Sequence, residues 1–190
     1  MTNKILAEFY MMTGKYSDQN DFAEKLTQAL TQGNKVVQLK AKNCTIDDYL
    51  QLADIARTIC KKFNAVLLLA TSADVYQQAR ADGLHLNSQA LFTYTERPVS
   101  VDQLLSVSCH NLQEMQQAEK LGADILLLSP VKATASHPEL EGIGWQNFAQ
   151  MIKKVNCPVY ALGGMRASDL ADAQQAGARG VAVSSFWNPR

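Results

Sequence analysis

The run VYALGGMRASDLADAQQAGARGVAVSS, residues 159–185, decides the fold. It opens on an apolar strand at Val159–Leu162, turns on Gly163 and Gly164, and takes helical spacing over Ser168–Ala176. It then stops at Gly177 and returns to an apolar strand at Gly180–Val183. Ser168 stands where a helix N-cap is expected, and a glycine just past the last helical residue suits the left-handed conformation that ends helices. Two strands joined through a helix run parallel. Their unbroken apolar character is that of strands covered on both faces.

The same unit recurs outward to both ends of the chain. Further short apolar runs lie at Phe9–Met12, Val36–Lys40, Val66–Ala70, Gly83–Leu86, Leu105–Ser108 and Ile125–Ser129, which makes eight strands in all. Helical stretches fill the gaps. Phe22, Leu26, Ala29 and Leu30 recur at helical spacing before Gly33, and Thr45 to Asp48 begins the next helix as an approximate capping box. Ser72–Arg80, Asn111–Leu121 and Trp145–Val155 follow the same logic, while Ser88–Leu104 is irregular. Eight strands alternating with helices over 190 residues predict an α/β fold, a compact (β/α)8 TIM barrel forming one domain over residues 1–190. An open doubly wound sheet is the alternative. Only seven residues follow the last strand, so the eighth helix is truncated or missing. Either a second copy covers the exposed groove, as a homodimer, or Phe186 and Trp187 fold back over it.

Composition narrows the classes of function. Lys plus Arg and Asp plus Glu both number 18, so no global field attracts nucleic acid or an anionic membrane, and any anion site is local. No run approaches the roughly 20 apolar residues of a membrane helix, and the start of the chain lacks the pattern of a secretory signal. These features predict a cytoplasmic protein. Cys44, Cys60, Cys109 and Cys157 form no C-x-x-C pair, so they read as free buried or half-buried thiols rather than zinc ligands.

Barrel enzymes keep their chemistry at the C-terminal strand ends. After the second strand, Gln38, Lys40 and Lys42 alternate with Val37, Leu39 and Ala41, which places the three polar side chains on one face, toward the barrel axis. At the ends of strands seven and eight, Gly163 and Gly164 free backbone N–H groups to face an anion, and Ser184 and Ser185 add hydroxyl donors. The long loop after strand six offers Lys132, Thr134, Ser136 and His137, with His137 able to titrate near neutrality. No Asp or Glu stands at the ends of strands three and four, where Ala70, Thr71, Asn87 and Ala90 lie. Such a mouth is basic and hydroxyl-rich but poor in the carboxylates that magnesium prefers.

Taken together, these segments resemble the thiamine phosphate synthase/TenI family along nearly the whole chain. The resemblance rests on the Gln38 to Lys42 pattern, on Ala81-Asp-Gly-Leu-His85-Leu, on Ser106-Val-Ser108-Cys-His110, on Gly122-Ala-Asp with Ser129-Pro130, and on Gly163-Gly164 with Gly180 to Ser184. It implies an enzyme that joins hydroxymethylpyrimidine diphosphate to thiazole phosphate and releases diphosphate. Gln38, Lys40 and Lys42 would lie near the diphosphate and Ser108 near the pyrimidine. Gly164, Ser184 and Ser185 would hold the thiazole phosphate, and Mg2+ would be the cofactor. Thr134 and Ser136 match hydroxyl positions of the family's loop. Lys40, Ser108 and His137 are the candidate catalytic residues.

The sequence also departs from the family pattern. The family's Asn-Asp after strand three falls on Ala70 and Thr71, its later magnesium aspartate on Ala90, its strand-two arginine on Lys40, and its loop lysine on His137. The TenI histidine falls near Ser129 and Pro130. The segment from Ser129 to Pro138 is most similar to the synthase-like domain attached to some MutT-like Nudix hydrolases, which implies a functional link to such an enzyme. A non-catalytic phosphate-ester-binding barrel and a metal-independent isomerase using His137 are the alternatives to the synthase.

Overall fold

A computed structural model describes residues 7–41, 44–134 and 141–187. The strands are β1 Phe9–Met12, β2 Val36–Leu39, β3 Val66–Ala70, β4 Gly83–Leu86, β5 Leu104–Cys109, β6 Ile125–Leu128, β7 Val159–Ala161 and β8 Gly180–Val183. All neighbours pair in parallel in chain order, and β8 returns to β1, with Phe9 opposite Val181 and Met11 opposite Val183. The sheet is closed. That excludes the open doubly wound alternative.

The helices α1 Gln19–Thr31, α2 Ile46–Lys62, α3 Ala73–Gln78, α4 Ser88–Leu91, α5 Leu112–Lys120, α6 Gly144–Ile152 and α7 Leu170–Gln175 surround the barrel. Their starts follow side-chain chemistry. Asp18, Thr45, Ser72, Asn87 and Asn111 each accept a backbone N–H of the first turn. Gly33 takes a φ of 92° just past α1, the positive region where a side chain is strained. One cap differs from the sequence expectation. Exposed Ser168 does not cap α7; residues Ala167–Asp169 form a 3-10 turn, held by the Asp169 carboxylate accepting the Arg166 N–H at 2.9 Å. The irregular stretch 88–104 contains the single turn α4 and, at Leu104, the start of β5.

Strand alternation divides the sheet into two faces. Met11, Val37, Leu39, Leu67, Leu69, Leu105, Val107, Leu126 and Leu128 pack outward under the helices. Tyr10, Val36, Leu68, Leu104, Ile125, Leu127, Tyr160 and Ala182 fill the interior. The Asp82-Gly83 pair at the start of the fourth strand is architectural. Asp82 accepts the Leu67 N–H at 2.8 Å, and a Cβ on Gly83 would collide with the Leu104 backbone. Asp124 repeats the device by accepting the Leu105 N–H at 2.8 Å.

The groove left between the barrel's first and last elements is filled by the chain itself. Trp187 is buried against Phe22, with ring centroids 5.2 Å apart, and donates its indole N–H to the Lys15 carbonyl at 2.9 Å. Phe186 meets Phe9 edge to face at 5.2 Å. Of the two covers expected for this groove, the structure has the internal one.

Candidate functional site

The interior changes character toward the C-terminal ends of the strands. Gln38, His85, Ser106 and Ser108 share the inward face with the apolar residues below them, because β2, β4 and β5 carry them at inward positions of the alternation. Gln38 is buried, and its Oε1 has no hydrogen-bond partner among the described residues. A buried amide oxygen left so is a place for a ligand's N–H or O–H.

His85 lies at the centre of a buried hydrogen-bond cluster. Its Nδ1 is 3.0 Å from Ser106 Oγ and 3.4 Å from the Tyr10 hydroxyl, and these two oxygens are 3.2 Å apart. Its Nε2 is 3.0 Å from Ser108 Oγ. Burial disfavours the imidazolium and the nearby Lys40 charge adds to that, so the ring's pKa falls to about 3. Burial likewise pushes the Tyr10 hydroxyl well above the ordinary tyrosine range, against the opposing effect of its bond to Ser106. Both groups are neutral at physiological pH. Half-buried Ser108 links this cluster to the mouth.

Lys40 stands just past β2 with an exposed side chain. Its backbone is clamped by Thr13 of the β1 end, whose Oγ1 accepts the Lys40 N–H at 2.9 Å and donates to the Lys40 carbonyl at 3.3 Å. The clamp fixes where the Lys40 side chain begins. The loops after β6 and β7 are stitched together: Val131 N–H bonds the Leu162 carbonyl at 2.9 Å, and Lys132 N–H bonds the Gly163 carbonyl at 3.1 Å. Gly163 and Gly164 both take positive φ, 90° and 67°. A Cβ would come within 2.6 Å of Pro130 Cα at the first and 2.5 Å of the Ala133 carbonyl at the second. Among the described residues neither glycine's N–H bonds a protein acceptor. Ser184 and Ser185 follow β8, exposed at the same end.

The β6 loop is only partly described. Lys132 is committed to Asp169 at 2.9 Å and lies 5.8 Å from the Trp145 ring centroid. Burial raises the Asp169 pKa, but the Arg166 N–H and Lys132 outweigh it and hold the carboxyl below the usual range. Thr134 is half-buried within the loop. Lys42, Ser136 and His137 lie outside the described residues.

Among the described residues no carboxylate stands at the ends of β3 and β4. β3 runs out into Ala70 and Thr71, and β4 into Asn87, whose Oδ1 already accepts the Ala90 N–H at 2.7 Å. Among the described residues no three His, Cys, Asp or Glu side chains group as a metal site. These strand ends do not fit the ion.

Sequence reasoning assigned no role to His85, Ser106 or Tyr10. His85 was visible inside its motif and the Ser106–Ser108 alternation was legible, but their meeting depends on β4–β5 register, which local sequence does not carry. His110, the other motif histidine, turns to β6 and donates from Nδ1 to the Ser129 carbonyl at 3.0 Å.

Comparison with known proteins agrees with this fold. A putative thiamine-phosphate synthase 2 of Aquifex aeolicus is 34% identical over 182 residues, covering 96% of this chain and 98% of that protein. A putative thiamine-phosphate synthase of Geobacter sulfurreducens is 31% identical, covering 96% and 87%. Among solved structures, thiamine phosphate pyrophosphorylase from Pyrococcus furiosus superposes with a TM-score of 0.76 at 24% identity, covering 94% of this chain and 85% of that one. The barrel is shared more widely: 3-dehydroquinate dehydratase of Geobacillus kaustophilus superposes at 0.70 with 16% identity, covering 96% and 83%. The sequence profile described as thiamine monophosphate synthase matches residues 9–186, so the chain belongs to the thiamine monophosphate synthase family.

Proposed function

We propose that this chain is a transferase that joins hydroxymethylpyrimidine diphosphate to thiazole phosphate, forming thiamine phosphate and releasing diphosphate. What supports the reading is that Gln38 Oε1 without a partner, the Ser108 hydroxyl, and the Gly163 and Gly164 N–H groups, which meet no protein acceptor among the described residues, all belong to C-terminal strand ends. In this reading Gln38 and Ser108 orient the heterocycle, and Lys40 neutralises charge on the departing diphosphate. Lys42, Thr134 and Ser136 extend the polar rim, and Gly163, Gly164, Ser184 and Ser185 hold the thiazole phosphate. His137 is not needed for it.

The relatives support this class of reaction by name. Magnesium handling would differ from the family pattern, since Ala70, Thr71 and Ala90 occupy the positions matched to its carboxylates. The alternatives, a non-catalytic binding barrel and a His137 isomerase, draw no support from the described residues. The groove that prompted a homodimer is filled by Trp187, and a link to a Nudix hydrolase rests on the Ser129 to Pro138 resemblance alone.

The test is product detection by mass spectrometry with both substrates and magnesium, beside Lys40→Ala. Wild type should form thiamine phosphate. The variant should stay folded, because Lys40 is exposed, and should lose about tenfold or more in apparent affinity for the diphosphate substrate. Unchanged affinity would remove Lys40 from the site; no product from folded wild type would overturn the synthase reading.

A further inference from the structure

We propose that Tyr10 and Ser106 are positioning residues: they hold His85 as the tautomer protonated on Nε2, which leaves the Ser108 hydroxyl to donate its hydrogen to the substrate. The identity of that substrate rests on the function proposed above. The proton arrangement does not.

The argument is a count of hydrogens. Tyr10 and Ser106 are fully buried, and His85 is nearly so. Among the described residues, the Tyr10 hydroxyl meets only Ser106 Oγ and His85 Nδ1, and Ser106 Oγ meets only those same two groups. Each hydroxyl brings one hydrogen and the neutral ring brings one more.

With the ring hydrogen on Nδ1, that nitrogen donates to one of the two hydroxyls and has no lone pair for either. One hydroxyl then donates to the other, and the second hydroxyl's hydrogen is stranded in the core. A stranded buried donor disfavours that form by roughly tenfold or more in population. With the hydrogen on Nε2, every hydrogen finds a partner. Tyr10 donates to Ser106 at 3.2 Å, Ser106 donates to Nδ1 at 3.0 Å, and Nε2–H donates to Ser108 Oγ at 3.0 Å. Only the Ser108 hydrogen is left unspent, on the one hydroxyl of the set that is not sealed in the core.

The consequence is one of specificity. In the other tautomer Ser108 would spend its hydrogen on Nε2 and could only accept. In the arrangement assigned here its hydrogen is available, so the substrate atom it can serve as a donor is an acceptor, such as a bare ring nitrogen or an ester oxygen. An N–H at that point would meet only the second Ser108 lone pair and would leave the hydroxyl hydrogen without a place on the substrate. Tyr10 thus sets the polarity of the Ser108 contact through two intervening side chains, without touching the ligand.

The experiment is nitrogen-15 NMR of the histidine rings in the wild-type protein near pH 7. The chain has three histidines, and His85→Gln identifies the signal by its loss. The expected spectrum has His85 protonated on Nε2 with a bare Nδ1. The reverse overturns the proposal. In the double variant Tyr10→Phe, Ser106→Ala, Nδ1 loses both donors, so the second tautomer should appear. KM for the heterocyclic substrate should rise by up to about tenfold, the worth of one neutral hydrogen bond, with kcat changed less. A folded double variant with the wild-type ring spectrum and KM would also overturn it. If that variant does not fold, the wild-type spectrum alone decides. Nε2 protonation in a protein that makes no thiamine phosphate would support the proton arrangement and remove only the substrate assignment.

Discussion

At the scale of single residues, the neutral buried imidazole of His85 ties stability to pH. In the unfolded chain a histidine takes up its proton near pH 6.5. In the folded barrel burial, joined by the Lys40 charge, holds that uptake back to about pH 3. Between those values the unfolded state binds more protons. The contribution is therefore complete above pH 6.5 and is lost as pH falls toward 3. From pH 7 to pH 5 the loss from this group should be about 2 kcal/mol, at ~1.4 kcal/mol per unit. The lowered carboxyls of Asp21 and Asp169 act only at more acid pH, so they do not blur this window. Urea unfolding at pH 7, 6 and 5 should show a falling stability in wild type and a flatter profile in His85→Asn. Parallel profiles would mean another group titrates. The residue that dominates this behaviour was legible only as part of a motif. Gln38 could be assigned inward from alternation along one strand, whereas His85, Ser106 and Tyr10 meet across three strands, and cross-strand partners are written in register rather than spacing.

At the scale of elements, seven helices and a four-residue tail share the work of covering eight strands among the described residues. Helix positions were legible because caps and apolar spacing are local, as at Thr45 and Asn111. The start of α7 was not. Its first turn is set by Asp169, which is engaged by both Arg166 and Lys132, and the partner 37 positions away leaves no local trace. The tail could be read only as two alternatives, since a Phe-Trp pair fits an internal cover and an interface equally well. Its internal role gives a quantitative expectation. Trp187→Ala removes a fully buried ring packed on Phe22 and should cost about 3–5 kcal/mol. Trp187→Phe should cost less, largely the hydrogen bond to Lys15, about 1 kcal/mol. Equilibrium unfolding in urea measures both. A loss below about 1 kcal/mol in the alanine variant would show that these residues do not close the barrel's wall.

At the scale of the whole molecule, closure makes the strands interdependent. Each strand has two parallel neighbours and no strand has a free edge, so no strand can leave without breaking the ring. Two thiols, one in the helical layer and one in the ring, can report on this. Cys60 lies on α2 against the outer face of the sheet, and Cys109 lies at the end of β5; both are buried. Burial pushes the Cys60 thiol up to about 12, with the Asp82 charge adding to the shift. Burial raises Cys109 as well, helped by Glu114. Neither presents a thiolate near pH 8, so alkylation must wait for opening of the structure. A barrel that opens as one unit exposes both thiols with the same free energy. Pulsed alkylation across a urea series, read by mass spectrometry of the two peptides, should therefore give Cys60 and Cys109 one common midpoint. Local opening of α2 alone would label Cys60 at lower urea than Cys109. That separation would show that the helical layer detaches before the ring breaks, and that the interior hydrogen-bond cluster of His85 survives in a barrel partly stripped of its cover.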